Sequence, residues 1–532
     1  MLQKNELPRI IQGVLRNMPG LILVILHRFN KDNFHYDPND TEPSYDYFMP
    51  MGLPYISAAL KKAGHSVDVL NLNHHQGLVR DLVAEKLKTG YEFVFLGGVS
   101  LHYPNIRDIV QCIREISPQT KIVIGGGMAS AQPVTMMKLL KPDCIIVGEG
   151  EEAAVTASKQ TSEYPTIWES ETPIRDLDAL PYPDYDAFGF REFLNNQKPT
   201  FIYDGMPSPR PYPTLASRSC PNACTFCYHT LGNQYRQRSI KSVMEEIRYA
   251  TFKYHINFFF FYDEMFAGNK ARVLDFCREF KAFRETVPWE VTFSPDMRVD
   301  HIDAEVAAAL KQSGCDPVCM GIESMSQTVL DSMKKHITPA GIQSALEILK
   351  AENLAPVGNF IFGDSAETLD TAEETLTFFR QRQDLCRGIR CTFIIPFQGS
   401  EIYNRQGYND AEFVADRAAN GYDFHEPVNM TRLSEREFRK LKDMVFTAHY
   451  CEGTYSVPIG VGNGWVLVEC PYCKKQTLYG IPPPPRFGLV NIGCHKCGSR
   501  FELVSRWYWL ARVAIRMFGF MNLYDMKKKI GV

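Results

Sequence analysis

Short apolar runs alternate with amphipathic stretches over the first 160 residues. The stretch 52–63 places its apolar residues at helical spacing and is followed by Gly64, a residue typical of helix C-termini. Five strand–helix units of this kind predict an α/β domain with a doubly wound, Rossmann-type parallel sheet over residues 1–160. The predicted strands are 21–26, 67–72, 93–96, 122–124 and 144–147.

Three of the predicted strands end in glycine-rich segments, at residues 97–98, 125–127 and 148–150. Glycine at the carboxyl end of a parallel strand allows a ligand to approach the backbone closely. The pattern therefore predicts a cofactor crevice at this edge of the sheet, although each segment alone would serve as a tight strand–helix turn. The loop 29–50 would then cover the cofactor.

A second alternating array begins near residue 212, after a proline-rich segment at 161–211 that we interpret as a linker. Its six strand–helix units show no sign of a reversed strand. They predict a partial (β/α)6 barrel of TIM type over residues 212–450, with the chemistry at the carboxyl ends of the strands. The predicted strands are 214–216, 257–262, 290–293, 317–322, 357–362 and 389–395.

Residues 451–505 contain two Cys-x-x-Cys pairs separated by twenty residues. This spacing is typical of a zinc ribbon, in which four thiolates complete a tetrahedral site and the metal is structural. An auxiliary iron–sulfur cluster and a rubredoxin-like iron site stay open as alternatives. The four predicted ligands are Cys470, Cys473, Cys494 and Cys497.

Residues 506–532 form a tail that mixes tryptophan and phenylalanine with arginine and lysine. This composition resembles a helix that lies in a membrane interface, which would add peripheral membrane contact. A helix packed across the barrel or the ribbon is the alternative, and the sequence leaves both open.

The chain has 532 residues and a net charge of −3, from 58 Lys+Arg against 61 Asp+Glu. This balance provides no basic field for nucleic acid, so we expect no nucleic-acid partner. No signal peptide and no membrane-length apolar run are visible, which predicts a cytoplasmic protein. The odd total of 15 cysteines then favours metal or redox chemistry over a disulfide framework.

Three cysteines follow the first strand of the second array: Cys220, Cys224 and Cys227, in the sequence CPNACTFC. Three thiolates can hold a 4Fe–4S cluster and leave its fourth iron open to an external ligand. The alternatives are a zinc knuckle completed by His229 and three buried thiols. Because the loop lies at the predicted barrel mouth, where catalytic sites occur, we favour the open cluster.

The cysteine loop resembles the CxxxCxΦC motif of the radical S-adenosylmethionine (SAM) superfamily. Later segments resemble the barrel motifs of that family, in family order: YRQRS at 235–239, FYDEMF at 261–266, RVD at 298–300, GIES at 321–324, GDSAET at 363–368 and IPFQGS at 395–400. The first array resembles the cobalamin-binding domain that often precedes such a barrel, through MGLPY at 51–55, GGGMAS at 125–130 and GEGE at 148–151. Together the resemblance covers about residues 20–450.

The resemblance implies that the three cysteines hold a 4Fe–4S cluster and that its open iron binds SAM, which is cleaved to a 5′-deoxyadenosyl radical. It also implies hydrogen bonds from the SAM ammonium or ribose to side chains at strand ends, and an arginine paired with the SAM carboxylate. For each such residue an ordinary barrel or surface salt bridge is the alternative. The residues assigned to SAM are Phe226, Asp263, Glu264, Arg298, Glu323 and Ser324.

For the first array the resemblance implies bound cobalamin. The Asp-x-His-x-x-Gly motif that supplies a histidine to cobalt in many such domains is absent, because the segment 74–77 follows the second strand and has Leu72 in the aspartate position. We interpret His74 as an exposed loop residue and take His27 and His35 as candidate cobalt ligands. Loss of cobalamin is the alternative. The residues assigned to cobalamin are Ser100, Gly125, Gly126, Gly127, Gly148 and Glu149.

The function implied is that of a cobalamin-dependent radical SAM methyltransferase acting on an unactivated carbon or phosphorus centre. A radical cyclase or other rearrangement is the first alternative, and a non-catalytic metal-binding protein is a remote one. The expected partners are reduced flavodoxin or ferredoxin as electron donor and a small-molecule or lipid-linked substrate. The cysteines outside the two metal motifs are predicted to be buried, although Cys315 and Cys319 could in principle act as thiols.

Overall fold

The structure is a computed structural model that describes residues 21–28, 37–159, 165–169, 173–197, 208–386, 388–420, 426–452, 454–481, 483–484, 489–494, 496–497 and 500–530. The chain divides into two compact units. The first comprises Met1–Phe193 and Tyr408–Tyr422, and the second comprises Leu194–Gly407 and Asp423–Val532.

A six-stranded parallel sheet forms the first unit, with the strand order β2-β1-β3-β4-β5-β6. Strand β1 is buried from Ile22 to Leu26, as expected for an apolar strand with both faces covered. The predicted doubly wound sheet is confirmed, and the sixth strand is an addition within the segment 161–211. The strands are β1 (Leu21–Leu26), β2 (Ser66–Asn71), β3 (Phe93–Gly97), β4 (Lys121–Gly125), β5 (Cys144–Val147) and β6 (Thr166–Glu169).

Amphipathic helices connect these strands. One helix of the first unit follows the barrel in sequence: α15 (Asp410–Asn420) contributes Val414 to the core of this unit. No local sequence pattern predicts that this helix belongs to the first unit, because its position depends on tertiary packing. The remaining helices up to the second unit are α1 (Gly52–Lys62), α2 (Val79–Leu87), α3 (Tyr103–Ile116), α4 (Gly127–Ala131), α5 (Pro133–Leu140), α6 (Glu151–Ala157) and α7 (Phe190–Asn195).

Six parallel strand positions form the partial barrel of the second unit. The sheets β11-β10-β7 and β12-β13-β14-β15 follow each other because β11 and β12 are consecutive, separated only by Pro295. The predicted (β/α)6 barrel is confirmed. The strands are β7 (Pro211–Thr214), β10 (Phe258–Phe261), β11 (Thr292–Ser294), β12 (Asp296–Arg298), β13 (Val318–Glu323), β14 (Pro356–Phe362) and β15 (Ile389–Phe393).

Helices cover the outside of the barrel over an aromatic core. The ring of Phe276 packs edge to face against Phe261 and Phe293, with centroid distances of 5.4 and 5.1 Å. Most of these helices begin at a side-chain cap, such as Ser239, which accepts a hydrogen bond from the amide of Ser242. The helices are α8 (Ile240–Tyr254), α9 (Lys270–Arg284), α10 (Ala304–Ser313), α11 (Gln327–Ser332), α12 (Pro339–Ala351), α13 (Leu369–Gln381), α14 (Glu401–Arg405) and α16 (Glu435–Thr447).

A small β module and two helices complete the second unit. The sheets β17-β18-β19 and β16-β21-β20 enclose one apolar core, to which Cys470 and Cys494 belong. The elements are β16 (Tyr455–Ser456), β17 (Gly460–Gly462), β18 (Trp465–Glu469), β19 (Gln476–Tyr479), β20 (Leu489–Gly493), β21 (Arg500–Val504), α17 (Arg506–Phe518) and α18 (Phe520–Ile530).

Candidate active site and metal centre

The cysteine loop lies between the short antiparallel strands β8 (Ser217–Arg218) and β9 (Arg236–Gln237). The amide of Thr225 donates to the carbonyl of Met333 at 3.1 Å, and its carbonyl accepts from the amide of Ile402 at 2.9 Å. These two partners follow β13 and β15, so the loop is tied to the carboxyl end of the barrel. The predicted position at the barrel mouth is confirmed.

Positive charge surrounds the buried thiol of Cys224. A hydrogen bond from Cys227, together with the charges of Lys335 and Arg298, lowers the pKa of Cys224 to about 6, against the effects of burial and of the Glu323 charge. A depressed thiol pKa favours the thiolate, which is the form that binds iron. The cysteine environment therefore fits a cluster ligand better than a core thiol.

A buried ion pair stands beside this loop. The ammonium of Lys335 lies 2.6 Å from Oε1 of Glu323, and the two side chains are only 10% and 5% exposed. Gly321 makes room for the pair, because a Cβ at that position would collide with Nζ of Lys335 and lie 2.6 Å from Glu323 Oε1. Sequence reasoning singled out Glu323 but missed Lys335, because Lys335 lies outside the segments that resemble the barrel motifs.

Arg298 lies at the end of β12 and forms a two-point ion pair with Asp300, with both N···O distances at 2.9 Å. It also donates to the carbonyl of Lys335 at 3.3 Å. The structure therefore brings Arg298, Lys335 and Glu323 together near Cys224. These groups can bind the carboxylate and ammonium of an amino acid, but a role toward SAM stays a prediction.

Other residues assigned to SAM are engaged with protein partners. Asp263 is buried and accepts hydrogen bonds from the amide of Ala216, at 3.0 Å to each carboxylate oxygen, which holds the start of β8. Burial raises the pKa of Asp263 to about 7. Glu264 lies 2.7 Å from Nδ1 of His229. Ser324 Oγ lies 3.1 Å from the hydroxyl of Thr375.

The last of these residues, Phe226, packs on an apolar cluster that includes Val329, Met333 and Ile402. For none of these side chains does a described contact test SAM binding. Their roles toward SAM therefore stay predictions.

In the first unit, the glycine-rich strand ends meet at one edge of the sheet. Gly126 has a φ of 86°, and a Cβ there would lie 3.0 Å from the backbone N and O of Gly98. At Gly148, with a φ of 83°, a Cβ would meet nothing within 4 Å. At this edge of the sheet the backbone segments at Gly126 and Gly98 lie close together, and the space beside Gly148 is open. A broad flat cofactor could lie against such an edge.

Two further residues assigned to cobalamin support this edge. Ser100 begins a 3-10 turn, Ser100–His102, directly after β3. Glu149 is buried and accepts a hydrogen bond from the amide of Ile174 at 2.6 Å, so its carboxylate ties the following segment to the sheet. Gly125 ends β4 and Gly127 begins α4.

The interpretation of His74 as an exposed loop residue is wrong. Its side chain is 5% exposed, and Nε2 lies 2.9 Å from the hydroxyl of Tyr47. The ring is committed to protein contacts because the turn Leu72–His74 folds inward against Tyr45 and Tyr47. His35, the other loop candidate for cobalt, lies outside the described residues.

The four cysteines of the β module converge on one point. The sulfur atoms of Cys470 and Cys497 are 3.8 Å apart, those of Cys473 and Cys494 are 3.7 Å apart, and all four lie within 4.8 Å of one another. A tetrahedral ion with metal–sulfur bonds of about 2.3 Å separates its ligands by roughly 3.8 Å. The site therefore fits a single closed tetrahedral ion.

The remaining cysteines are free thiols. Cys319 is half-buried on β13, with its sulfur 3.4 Å from the hydroxyl of Ser294. The prediction of burial is confirmed for Cys112, Cys144, Cys277, Cys315, Cys386, Cys391 and Cys451. Among the helices that the structure describes, none is both long and apolar enough to cross a membrane.

Two protein-family models match this chain, one in each of the two predicted α/β domains. The B12 binding domain model matches residues 42–158, and the Radical SAM superfamily model matches residues 214–379. An uncharacterized methyltransferase of Pyrococcus horikoshii is 27% identical over 66% of this chain and 77% of its own. The anaerobic magnesium-protoporphyrin IX monomethyl ester cyclase of Cereibacter sphaeroides is 25% identical over 61% of this chain and 55% of its own.

A solved structure shows the same fold. The radical SAM methyltransferase TsrM from Kitasatospora setae, with cobalamin and a [4Fe-4S] cluster bound, superposes with a TM-score of 0.56 at 17% identity, over 72% of this chain and 73% of its own. The cofactors expected from the sequence are thus those of the two matched domains, and a radical SAM enzyme requires an external reductant. The chain therefore carries a domain of the B12 binding family followed by a domain of the Radical SAM superfamily.

Proposed function

We propose that this enzyme transfers a methyl group from SAM to an unactivated carbon or phosphorus centre. The observation that carries the proposal is the joining, in one chain, of an open three-cysteine loop at a barrel mouth with a B12-binding domain. The methyltransferase names of relatives, including the Pyrococcus horikoshii protein, support it. Because one relative is a cyclase, radical cyclisation is the second candidate function.

Two sets of residues of this chain would prepare the reaction. Cys220, Cys224 and Cys227 would hold the cluster, whose chemistry is one-electron reduction of SAM, while cobalamin would supply methyl-group carriage. Arg298 and Lys335 would bind the SAM carboxylate by charge-assisted hydrogen bonds. Because these cations lie in a mostly buried site, they would fix the orientation of SAM without reorganisation.

The two products of SAM distinguish methyl transfer from cyclisation. Anaerobically reconstituted enzyme with a reductant and cobalamin is incubated with SAM and candidate substrates, and both SAM products are quantified. Methyl transfer predicts substrate-dependent formation of 5′-deoxyadenosine and S-adenosylhomocysteine together. Formation of 5′-deoxyadenosine with product but without S-adenosylhomocysteine would contradict the proposal and support the cyclase. We propose reduced flavodoxin or ferredoxin as the natural reductant, and each can be compared with dithionite in this assay.

We propose that the metal of the β module is zinc. Its four thiolates leave no open position, and the amide of Lys496 points at Cys494 Sγ from 3.4 Å, a contact that stabilises a thiolate. Elemental analysis after aerobic purification should find about one zinc per chain, because zinc has no redox chemistry and survives oxygen. Iron with rubredoxin-like visible absorbance would contradict this assignment.

We further propose that helix α17 holds the enzyme on the cytoplasmic face of an anionic membrane and that the substrate is a lipid or lipid-linked molecule. Leu510, Val513 and Met517 recur at helical spacing on the outer face of α17, and Met517 is 69% exposed. Trp507, Trp509 and Phe518 flank this stripe and are also exposed. Aromatic and aliphatic residues on one helix face match a membrane interface.

The opposite face of α17 packs on the protein, in line with the alternative expectation of a packed helix. Arg512 is buried, with its guanidinium 3.9 Å from the centroid of the Tyr455 ring and 3.6 Å from Glu502. Arg516 donates to the carbonyl of Cys451 at 2.6 Å. The helix is thus fixed to the second unit while its apolar face points outward. Arg506 and the lysines of 527–529 add positive charge, worth about 1 kcal/mol each near anionic lipid.

Vesicle co-sedimentation tests this surface. The variant L510S/M517S should lose binding to vesicles of phosphatidylglycerol and phosphatidylcholine, and wild-type binding should weaken at high salt because the charges are screened. The matched control is Leu478→Ser, which removes an equally exposed leucine from β19 (61% exposed) and should leave binding unchanged. Absence of wild-type binding at low salt would refute membrane contact.

A further inference from the structure

The strand order of the first unit places His27 at a special position. Strand β1 lies between β2 and β3, so the chain connections leave in opposite directions at the boundary between β1 and β3. Ligands of such sheets bind at this switch point, outside the carboxyl ends of the strands. His27 is the first residue after β1, and Gly98 follows β3 directly across the boundary.

The backbone around His27 is fixed by side chains from neighbouring elements. The side-chain Nδ2 of Asn73 donates to the carbonyl of His27 at 2.9 Å, and the side-chain Nδ2 of Asn105 donates to the carbonyl of Arg28. The guanidinium of Arg28 in turn donates to the carbonyls of Leu72 and Gly77, both at 3.2 Å. The histidine is therefore held in place before any ligand arrives, as a preorganised metal ligand requires.

The ring of His27 is buried but uncommitted. The residue is 4% exposed, and its ring lies 4.0 Å from that of His102, centroid to centroid. Among the hydrogen bonds of the described residues, none involves a ring nitrogen of His27. A ring nitrogen of His27 is therefore available to a ligand.

Two neighbouring histidines, His102 and His74, have ring nitrogens that take part in hydrogen bonds. The amide of Val99 donates to Nδ1 of His102 at 3.1 Å, so neutral His102 carries its proton on Nε2 and has no second lone pair to offer. His74 is engaged with Tyr47. Of His27, His74 and His102, His27 is thus the one whose ring nitrogens have no hydrogen bond to a described residue.

We propose that His27 binds the cobalt of cobalamin as its lower axial ligand, in place of the histidine of the absent Asp-x-His-x-x-Gly motif. The inference rests on the proposed function only in that cobalamin must occupy the first unit. Neutral imidazole is a good donor to a transition metal, and the rigid backbone of His27 would fix the height of the cofactor above the sheet. The contact with the His102 ring, whose plane is tilted by 45°, would restrict rotation of the His27 ring.

Electron paramagnetic resonance of the bound cofactor tests this assignment. The full-length protein is produced with 15N-histidine, loaded anaerobically with natural-abundance cobalamin and reduced to the cob(II)alamin state. Ligation by His27 predicts a doublet splitting of the cobalt lines from one 15N nucleus, where unlabelled protein gives a triplet from 14N. A triplet unchanged by labelling would assign the ligand to the cofactor's own base and overturn the proposal. Absence of any nitrogen splitting would also overturn the proposal.

Two matched variants identify which histidine is responsible. His27→Phe keeps an aromatic ring against His102 and should lose the 15N doublet while retaining corrin after gel filtration. His102→Phe keeps an aromatic ring against His27 and should retain the doublet. A doublet that survives in H27F would overturn the assignment. If wild-type protein retains no corrin at all, both the proposed function and this inference fail, whereas retained corrin without the doublet refutes the inference alone.

Discussion

Removal of the Lys335 ammonium should strongly destabilise the barrel. The variant Lys335→Met keeps the length of the side chain but leaves Glu323 charged and unpaired in a site where its side chain is 5% exposed. Breaking a buried ion pair from one side costs about 3–5 kcal/mol, because the remaining charge has lost both water and partner. The double variant K335M/E323Q carries no charge there and should recover most of this loss.

Hydrogen exchange of the β13 amides, Val318–Glu323, measures the effect locally. A loss of 3–5 kcal/mol corresponds to a fall in protection of roughly two to four orders of magnitude, at about 1.4 kcal/mol per tenfold change. The matched control is Lys334→Met, since Lys334 pairs with Glu401 at the surface, where such pairs contribute about 0–1 kcal/mol. A cost below about 1 kcal/mol for K335M, or a double variant no more stable than the single one, would refute the reasoning.

Three further outcomes follow from the sites. Cys224→Ala should abolish reductive SAM cleavage while the metal of the β module stays bound, and unchanged formation of 5′-deoxyadenosine would remove the cluster assignment. Gly126→Val should lower the cobalamin retained after gel filtration by at least about tenfold, since its Cβ would crowd Gly98 at a positive φ, whereas Gly52→Ala in open space should not. The pKa of Asp263 is raised from 3.8 to about 7, so the folded state holds a proton that the unfolded state releases, and stability should fall as pH rises from about 4 to about 7. Asp263→Asn should flatten this part of the urea-unfolding profile against pH, and an unchanged slope would contradict it.

The sequence by itself determined the type of each domain. Apolar strands alternating with amphipathic helices predicted both parallel sheets, and the cysteine spacings predicted both metal motifs, because these features repeat over short distances along the chain. The four cysteines of the β module converge as their spacing indicated, and the loop 220–227 is tied to the carboxyl end of the barrel, whereas its three thiols as cluster ligands stay a prediction.

Tertiary structure decided which side chains share a site. Lys335 joins Glu323 and Arg298 only because the turn after α11 folds over the end of β13, a contact that no local pattern encodes. Helix α15 joins the first unit from beyond the barrel for the same reason.

The histidines show the distinction most clearly. His27 and His74 both lie in segments that follow strands, and nothing in the sequence indicated that the ring of His74 is buried or that its nitrogen has a partner. Packing buries both, but it gives the ring of His74 a tyrosine partner and leaves the nitrogens of His27 free of hydrogen bonds within the described residues. Whether a polar atom finds a partner depends on contacts distant in sequence, so only the folded structure decides which histidine can bind a metal.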